Sequence, residues 1–416
     1  MRVLVVGGGI GGLTTALCLH AVGIECEVFE QSRDIRELGV GINTLPHAIK
    51  ELADLGLLET LDDVAIRTQE LIYANRFGQE IWREPRGVGA GYDFPQFSIH
   101  RGRLQGVLYD AVKARIGTDK VHTGHQLQDF TQDEYGVTAT FVRRDGSDKE
   151  VTVRGDVLIG ADGMHSAVRR EFYRDEGPPA WNGRMIWRGA VEYSPFLTGQ
   201  SMIISGGGKW PKLVLYPISN QTGTPGTNLL NWAVVVKIGD GSAPPPRRED
   251  WNRVGRLDEL LPHVDGVYDL SAVDPVDVIR STGEFYEYPM CDRDPLPRWS
   301  FGRVTLLGDA AHPMYPMGSN GASQAVLDAR CLAPLLAETK GVKAALEAYE
   351  ATRLPATAKI VRDNRTGGPE RVIDLVEERA PSGFTNLDDV ATHAELEAIV
   401  KGYSKMAGFH QTQVNR

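Results

Sequence analysis

The sequence predicts an α/β fold in which a doubly wound, parallel-sheet unit is interrupted by an inserted, mostly antiparallel β-rich domain and followed by C-terminal helices. Three observations predict it. The first 31 residues read as strand, glycine turn, helix and strand. Residues 181–288 change texture to short apolar and β-branched runs separated by Gly, Pro, Asn and Thr clusters. A buried-type strand then returns at 303–307, ahead of long helical stretches.

The opening strand is Val3-Leu4-Val5-Val6, apolar throughout as a strand covered on both faces must be. Residues 13–21 carry apolar side chains at helical spacing, and Cys26-Glu27-Val28-Phe29-Glu30 completes a βαβ unit. Helices are expected at 45–58 and 103–116, and 137–142 alternates as a half-buried strand. A short apolar strand at 156–161 ends at Asp162-Gly163, with a helix from about Ser166. In the insert, strands are expected at 185–191, 202–205, 213–217 and 229–236, and 239–248, with three consecutive prolines, as an exposed loop. Helices are expected at 319–336, 342–364 and 387–403, the last two rich in Ala, Glu, Leu and Lys. The domains so read are 1–72, 98–180 and 289–365 for a discontinuous nucleotide-binding domain, 73–97 and 181–288 for a substrate domain, and 366–416 for a helical segment.

Composition narrows the class. Of 416 residues, 42% are hydrophobic and 24% charged, which excludes disordered, collagen-like and coiled-coil chains. Lys+Arg total 45 against Asp+Glu 55, so the net charge of -10 offers no footprint for nucleic acid. The 46 glycines exceed the usual share of about 7% and point to turns and close backbone approach. Four cysteines, Cys18, Cys26, Cys291 and Cys331, show no metal-ligand or C-x-x-C spacing, so reduced thiols, a cytoplasmic location and no metal site are expected. The apolar start lacks a cleavage pattern and is full of glycine, which argues against a secretory signal. The longest later apolar stretch, 229–236, is broken by Asn231 and too short for a membrane span. No membrane or protein partner is expected.

Gly7-Gly8-Gly9-Ile10-Gly11-Gly12 satisfies G-x-G-x-x-G, with Gly7 for the tight turn, Gly9 for close approach of a pyrophosphate and Gly12 for packing helix on sheet. Ile10 and Gly11 open the helix that would face that pyrophosphate. Glu30, about 18 residues beyond Gly12 with Gln31 beside it, places a carboxylate where a ribose hydroxyl would sit. The ligand is the ADP part of FAD or NAD. An NAD dehydrogenase would continue with further βα units. This chain passes instead into the β-rich insert and returns with Gly308-Asp309 at a strand end. An Asp there suits the ribityl hydroxyls of a flavin, and the helix opened by Gly318-Ser319-Asn320-Gly321 would aim free N–H groups at the charge on reduced flavin N1.

Three motifs in order carry a resemblance: Gly7-x-Gly9-x-x-Gly12 with Glu30; Gly160-Ala161-Asp162-Gly163 with Ser166 and Arg169; and Leu307-Gly308-Asp309-Ala310-Ala311-His312-Pro313. The chain resembles, along its whole length, the single-component (group A) FAD-dependent aromatic hydroxylases. The segments 39–43, Pro46-His47-Ala48, 318–325 and 374–380 are most similar to the phenazine-carboxylate monooxygenase branch. The resemblance implies a Rossmann-type FAD-binding domain. Glu30 would bind the adenosine ribose, Arg36 and Arg101 the FAD phosphates or sugar, and Leu127 would offer backbone to adenine. Asp162 would support the pyrophosphate region, Asp309 the ribityl chain, and Gly321 and Ala322 would present N–H groups to the flavin C2 carbonyl.

The same resemblance implies the reaction: NADH or NADPH reduces FAD, O2 adds to give a C4a-hydroperoxyflavin, and an aromatic or N-heteroaromatic ring is hydroxylated, with or without decarboxylation. No side-chain nucleophile is required, so no catalytic residue is assigned. The site must be dry and flat, for which Trp187, Met202, Leu215, Tyr216 and Trp232 of the insert are candidates, although strand alternation turns about half of any such set the other way. Arg188 is a candidate partner for a substrate carboxylate, and Pro313 flanks the same region. His312 reads as shaping the turn before Pro313, and His122-x-x-His125 as surface. The competing readings are another flavin reaction on this fold, such as Baeyer–Villiger oxygenation or reduction, and a flavin-binding sensor without turnover.

Overall fold

In the computed structural model, residues 1–35, 40–147, 149–247, 250 and 252–416 are described. The strand Arg2–Val6 lies at the centre of a five-stranded parallel sheet in the order Val304–Leu306, Val157–Gly160, Arg2–Val6, Glu25–Phe29, Val121–His122. Its Val3, Leu4 and Val5 have no exposed surface, because the helices Ile10–Ala21, Arg101–Arg115, Gly321–Glu338 and Val342–Arg365 contribute to the same core. A three-stranded antiparallel sheet, Glu150–Gly155, Val137–Arg143 and His125–Gln132, completes this half.

The insert is built on a seven-stranded sheet in the order Phe285–Asp292, Ala180–Tyr193, Asn228–Lys237, Lys212–Ser219, Ser201–Ser205, Glu70–Ala74, Glu80–Pro85. All neighbours are antiparallel except Ser201–Ser205 beside Glu70–Ala74. Four of the domain limits read from the sequence fall inside strands: those at 72/73, 180/181 and 288/289 cut Glu70–Ala74, Ala180–Tyr193 and Phe285–Asp292 of this sheet, and that at 97/98 cuts Phe97–His100. Its outer face is covered by the short helices Leu257–Leu260 and Pro275–Arg280, which the sequence pattern did not reveal. Its inner face meets the nucleotide-binding half and the C-terminal helices Arg371–Arg379 and His393–Met406.

Two expected helices differ in extent for local reasons. The stretch expected at 45–58 divides into Pro46–Asp54 and Leu58–Val64, because Gly56 takes φ +68° between them. The helix expected from 387 starts at His393, where Thr392 and Glu395 form a reciprocal capping box. Among the described residues no helix is long and apolar enough to cross a membrane.

Candidate functional site

The glycines of the first turn have separate physical reasons. Gly7 adopts φ +109°, and a Cβ there would stand 2.3 Å from the Ala161 carbonyl oxygen; at Gly12 it would stand 1.9 Å from the Gly7 oxygen. These two let strand, turn and helix close on one another. Gly11 sits where its helix crosses the later one, with Leu307 and Ala325 as the neighbours of a Cβ. Gly9 is different: a Cβ would meet nothing within 4 Å. Gly9 also caps a helix with no side-chain hydrogen bond and no acidic residue in the first turn, so Ile10 and Gly11 stand at an open, positive helix start. Open space beside an uncapped, positive helix start is suited to an anion.

Glu30 ends the second strand with its two oxygens accepting from Gly8 N–H (2.7 Å) and Ser32 N–H (2.7 Å), leaving lone pairs on each. Gln31 is exposed beside it. Gln105 donates to the Gly8 carbonyl at 2.7 Å and fixes the loop from the neighbouring helix. Leu127 lies on His125–Gln132, the edge strand of its sheet, next to a register shift that leaves Gln128 unpaired. The sequence reading of His122 and His125 as surface is corrected: His122 stacks on Phe29 at 4.7 Å and meets Glu27 at 2.8 Å, and His125 packs edge-on to Phe29. Arg36 lies outside the described residues.

Asp162 turns its carboxylate onto the following helix, accepting from Ser166 Oγ (2.5 Å), Ala167 N–H (2.7 Å) and Val168 N–H (3.3 Å). Burial raises its carboxyl above the usual range, opposed by those bonds. Arg169, 2% exposed, donates to the Ala310 and Ala311 carbonyls at 3.1 Å and pairs with Glu176, so the second motif is tied to the third.

In that third motif Gly308, at φ +60°, donates its N–H to Asp328 at 3.0 Å, and His312 Nε2 meets the same carboxylate at 2.6 Å. Arg353 donates to the other Asp328 oxygen at 2.7 Å and to the Gln324 side chain at 2.6 Å. Burial alone would raise the Asp328 carboxyl; His312 and Arg353 instead hold it down at about 2. Asp309 is solvent-accessible although protein surrounds it, as on the wall of a crevice, and no hydrogen bond reaches its carboxylate among the described residues. Burial pushes that carboxyl up, while His312 and Arg101, at the start of the adjacent helix, draw it down. Gly321 and Ala322 begin an 18-residue helix whose cap, Asn320, makes no side-chain capping bond. The turn before it is strained: Ser319 is held at φ +56°, and Gly318 at φ +65° beside the Tyr403 ring.

The seven-stranded sheet sorts the substrate candidates by face. Trp187, Leu215 and Trp232, expected to line a pocket, point instead into the outer core, where Trp187 Nε1 donates to Glu287 (2.9 Å) and Trp232 Nε1 to Thr282 (2.8 Å). Register decides this: cross-strand pairing puts Arg188, Ala233, Val214, Ile204, Tyr73 and Trp82 in one row of the opposite face. Tyr216 and Met202 lie on that inner face too. Arg188 donates to the Gly41 carbonyl (2.6 Å) and to Tyr288 Oη (3.2 Å), and Tyr216 donates to the same carbonyl (2.8 Å). Burial pushes the Tyr216 hydroxyl up to about 12, so it remains a donor. Arg188 Nε is enclosed without a partner, and no carboxylate pairs with Arg188 among the described residues. Gly41 has no room for a side chain against Ile218 and Asn231, and its N–H bonds Asn231 Oδ1 at 2.7 Å. Pro313 is buried between His312 and the strained turn.

Met202 also lines a cavity of about 350 Å³ with Leu45, Ile204, Ser319, Arg86 and Gln96. The sequence reading missed Arg86 and Gln96 on this cavity, Asn231 behind Gly41 and Asp328 behind the third motif: none stands in a recognisable motif, and only the fold gives each its place.

The family described as FAD binding domain matches residues 1–178 and 279–364. Phenazine 1,6-dicarboxylic acid hydroxylase of Lysobacter antibioticus is 44% identical over 364 residues, covering 87% of this chain and 89% of that protein. 3-hydroxybenzoate 6-hydroxylase 1 of Aquipseudomonas alcaligenes is 30% identical, covering 86% of each. Among solved structures, a single-substitution variant of Klebsiella pneumoniae HpxO complexed with FAD superposes with TM-score 0.75 at 25% identity, covering 98% of both chains. A salicylate hydroxylase substrate complex gives 0.74 at 25%, covering 100% of this chain and 97% of that one.

Proposed function

The chain belongs to the FAD-binding-domain family of flavin-dependent aromatic hydroxylases, and we propose that its substrate is an aromatic or N-heteroaromatic carboxylic acid anchored by Arg188. It is an FAD-dependent monooxygenase that uses NADH or NADPH and O2.

The residues present fit FAD. The open space at Gly9 and the uncapped helix start at Ile10 and Gly11 take the pyrophosphate, with Gly7 and Gly12 shaping the turn. Glu30, with Gln31, would take the adenosine ribose, the edge strand at Leu127 would offer backbone to adenine, and Arg101, close enough to Asp309 to draw its carboxyl down, would serve the phosphates or sugar. Asp309, on the turn of Gly308, accepts no hydrogen bond among the described residues and could accept ribityl hydroxyls, and the N–H groups of Gly321 and Ala322 at the helix start would serve the flavin C2 carbonyl. Asp162 acts on this site by fixing the helix and, through Arg169, the turn at 310–311. The chemistry bound FAD supplies is acceptance of hydride from NAD(P)H and activation of O2 for transfer of one oxygen atom to a ring carbon.

The protein's part is placement and exclusion of water. Arg188 carries the substrate reading: it is a guanidinium deep in a domain interface, upheld by tyrosine and carbonyl oxygens alone, with Nε unused. Among the described residues such a charge has no counterion, and a substrate carboxylate would provide one. Next to it in the sheet row stand the small Ala233 and Val214, which give a flat ring apolar ground. Tyr216 and Arg188 hold the Gly41 carbonyl, keeping the loop on the cofactor side in register with the substrate side.

The test is steady-state NAD(P)H oxidation with paired acid and neutral ligands of the same ring, comparing wild type with Arg188→Met. The variant is expected to raise the apparent KM for the acids roughly 10-fold or more and to leave the neutral analogues within about threefold, from the worth of a charge-assisted bond. Equal effects on both would remove Arg188 from substrate binding.

A further inference from the structure

The strained turn ahead of the helix Gly321–Glu338 is held by a residue that the three motifs do not contain. Gly318 (φ +65°) and Ser319 (φ +56°) are left-handed in succession, and Ser319 carries a Cβ, for which that conformation is unfavourable. Such a residue persists only where its surroundings determine it. Here they include Tyr403, on the C-terminal helix His393–Met406 and beyond residue 364, where the family match ends.

Tyr403 is 2% exposed and meets the turn with both ring and hydroxyl. The ring closes on Gly318, where a Cβ would stand 2.4 Å from its Cε1. The hydroxyl accepts from Asn320 Nδ2 (2.9 Å) and has one hydrogen to give, to the Met317 carbonyl (3.1 Å) or to Asn364 Oδ1 (2.9 Å). Asn364 in turn donates to the Tyr315 carbonyl at 2.9 Å. One phenol thus contacts Met317, Gly318 and Asn320, the residues on either side of Ser319. Asn320 and Asn364 are buried as well, so water does not replace these bonds. Burial also pushes the Tyr403 hydroxyl well up, so it stays protonated.

The same contact decides what the helix start can do. Asn is among the best helix caps, with extended backbone and a side chain that accepts from the first turn. Asn320 has φ −95° and ψ −24° instead, its Nδ2 donates to Tyr403 and to the Gly318 carbonyl (3.2 Å), and its Oδ1 accepts from Gln324 Nε2 (3.3 Å). Its side chain is therefore turned away from the helix, and the first N–H groups receive no cap from it. We propose that Tyr403 is a positioning residue for the reaction: its hydroxyl keeps Ser319 left-handed and Asn320 off the helix start, so that the N–H groups of Gly321 and Ala322 stay on the flavin C2 carbonyl and favour the negative charge of reduced FAD. The proposal rests on the reading of those two N–H groups as the flavin contact. Without the hydroxyl, Ser319 relaxes, Asn320 is released to cap the helix, and the contact loosens.

The enzyme is loaded with FAD carrying carbon-13 at C2, whose resonance reports hydrogen bonding to that carbonyl, and the two-electron midpoint potential is measured by dye equilibration. Wild type is expected to show a hydrogen-bonded C2. Tyr403→Phe is expected to move the resonance upfield and to lower the preference for reduced over oxidised FAD about 10-fold, the worth of a charge-assisted bond, or about 30 mV in midpoint. A phenol that only fills the core would change the thermal midpoint and leave both flavin readings alone. Ser319→Gly added to Tyr403→Phe should restore both, because glycine takes the left-handed conformation without the penalty. Asn320→Ala, which deletes the other half of the bond, should shift both readings in the same direction and serves if Tyr403→Phe does not fold. Unaltered readings in Tyr403→Phe, or in Asn320→Ala where Tyr403→Phe is unfolded, overturn the proposal, and so does a failure of Ser319→Gly to restore them. If the wild-type C2 carbonyl accepts no hydrogen bond, the reading of Gly321 and Ala322 itself fails. If it accepts one and Tyr403→Phe is silent, that contact stands and Tyr403 alone is excluded.

Discussion

The glycine turn predicts a separation between folding and cofactor binding. At Gly9 the backbone is extended, φ −77° and ψ −177°, and the direction of a side chain is empty to 4 Å. Gly9→Val therefore adds no clash and no strain to the chain itself; its cost is the poorer helix cap, about 1 kcal/mol. At Gly7 an alanine Cβ would stand 2.3 Å from the Ala161 oxygen at φ +109°, so left-handed strain of about 1–2 kcal/mol adds to displacement of neighbouring backbone at about 1–3 kcal/mol. Gly12→Ala, at 1.9 Å from the Gly7 oxygen, carries the second cost in full. The expected result is a Gly9→Val protein that purifies colourless, unfolds in urea near the wild-type apoprotein, and does not take up added FAD. Gly7→Ala is expected to lose about 2–5 kcal/mol with or without FAD. A yellow Gly9→Val protein at full flavin occupancy would refute the assignment of the pyrophosphate to this space.

Other expectations follow from single groups. Asp309→Ala breaks no hydrogen bond among the described residues, so it should keep the apoprotein's stability and weaken FAD retention about 10-fold or more, read by ultrafiltration; unchanged retention would exclude Asp309 from the cofactor. His47, 5% exposed, is held neutral by burial and by Arg353, its imidazole pushed down to about 3. A depressed folded value means stability that is complete above the unfolded value near 6.5 and is lost as pH falls from there toward 3, at about 1.4 kcal/mol per pH unit. His47→Gln should therefore flatten the fall in urea stability between about pH 6.5 and about pH 5, and parallel curves would count against it. Asp328→Asn leaves the buried Arg353 guanidinium without its carboxylate partner and should cost about 3–5 kcal/mol; a loss below about 1 kcal/mol in urea would be incompatible with the network.

What the sequence made legible was whatever is local. The run 3–6, the glycine turn and Glu30 lie within one βαβ unit, so spacing alone located the turn. The helix at 321–338 and the strand at 304–306 were readable from periodicity for the same reason. The face of a sheet is not local. Trp187 and Arg188 are adjacent in sequence and point to opposite sides, and which side is inner depends on strands more than 40 residues away. The requirement for flat, apolar lining, which favoured Trp187 and Trp232, does not tell one face from the other, and both belong to the outer core under the helices 257–260 and 275–280. Arg86 and Gln96 were invisible because what singles them out, an enclosed Nε–H and an enclosed Oε1 without hydrogen-bond partners, is revealed only by packing.

The buried polar chain behind the third motif links claims that the motifs alone leave separate. One carboxylate, Asp328, receives the Gly308 N–H, His312 and Arg353, and Arg353 continues to the Gln324 carbonyl and amide. Asp309 sits directly after Gly308, and Gly321 one turn before Gln324, so the two ends of the proposed flavin contact are tied to the same buried carboxylate. Arg169 fastens the carbonyls of 310 and 311 to the helix that Asp162 caps. Asp328 therefore touches no ligand, yet its removal should loosen both FAD contacts together, costing stability and retention in parallel. Asp309→Ala should cost retention alone. If Asp328→Asn destabilises the protein while the remaining folded fraction holds FAD as tightly as wild type, the two contacts are set by their own loops, and the shared carboxylate is a stabilising pair rather than the frame of the site.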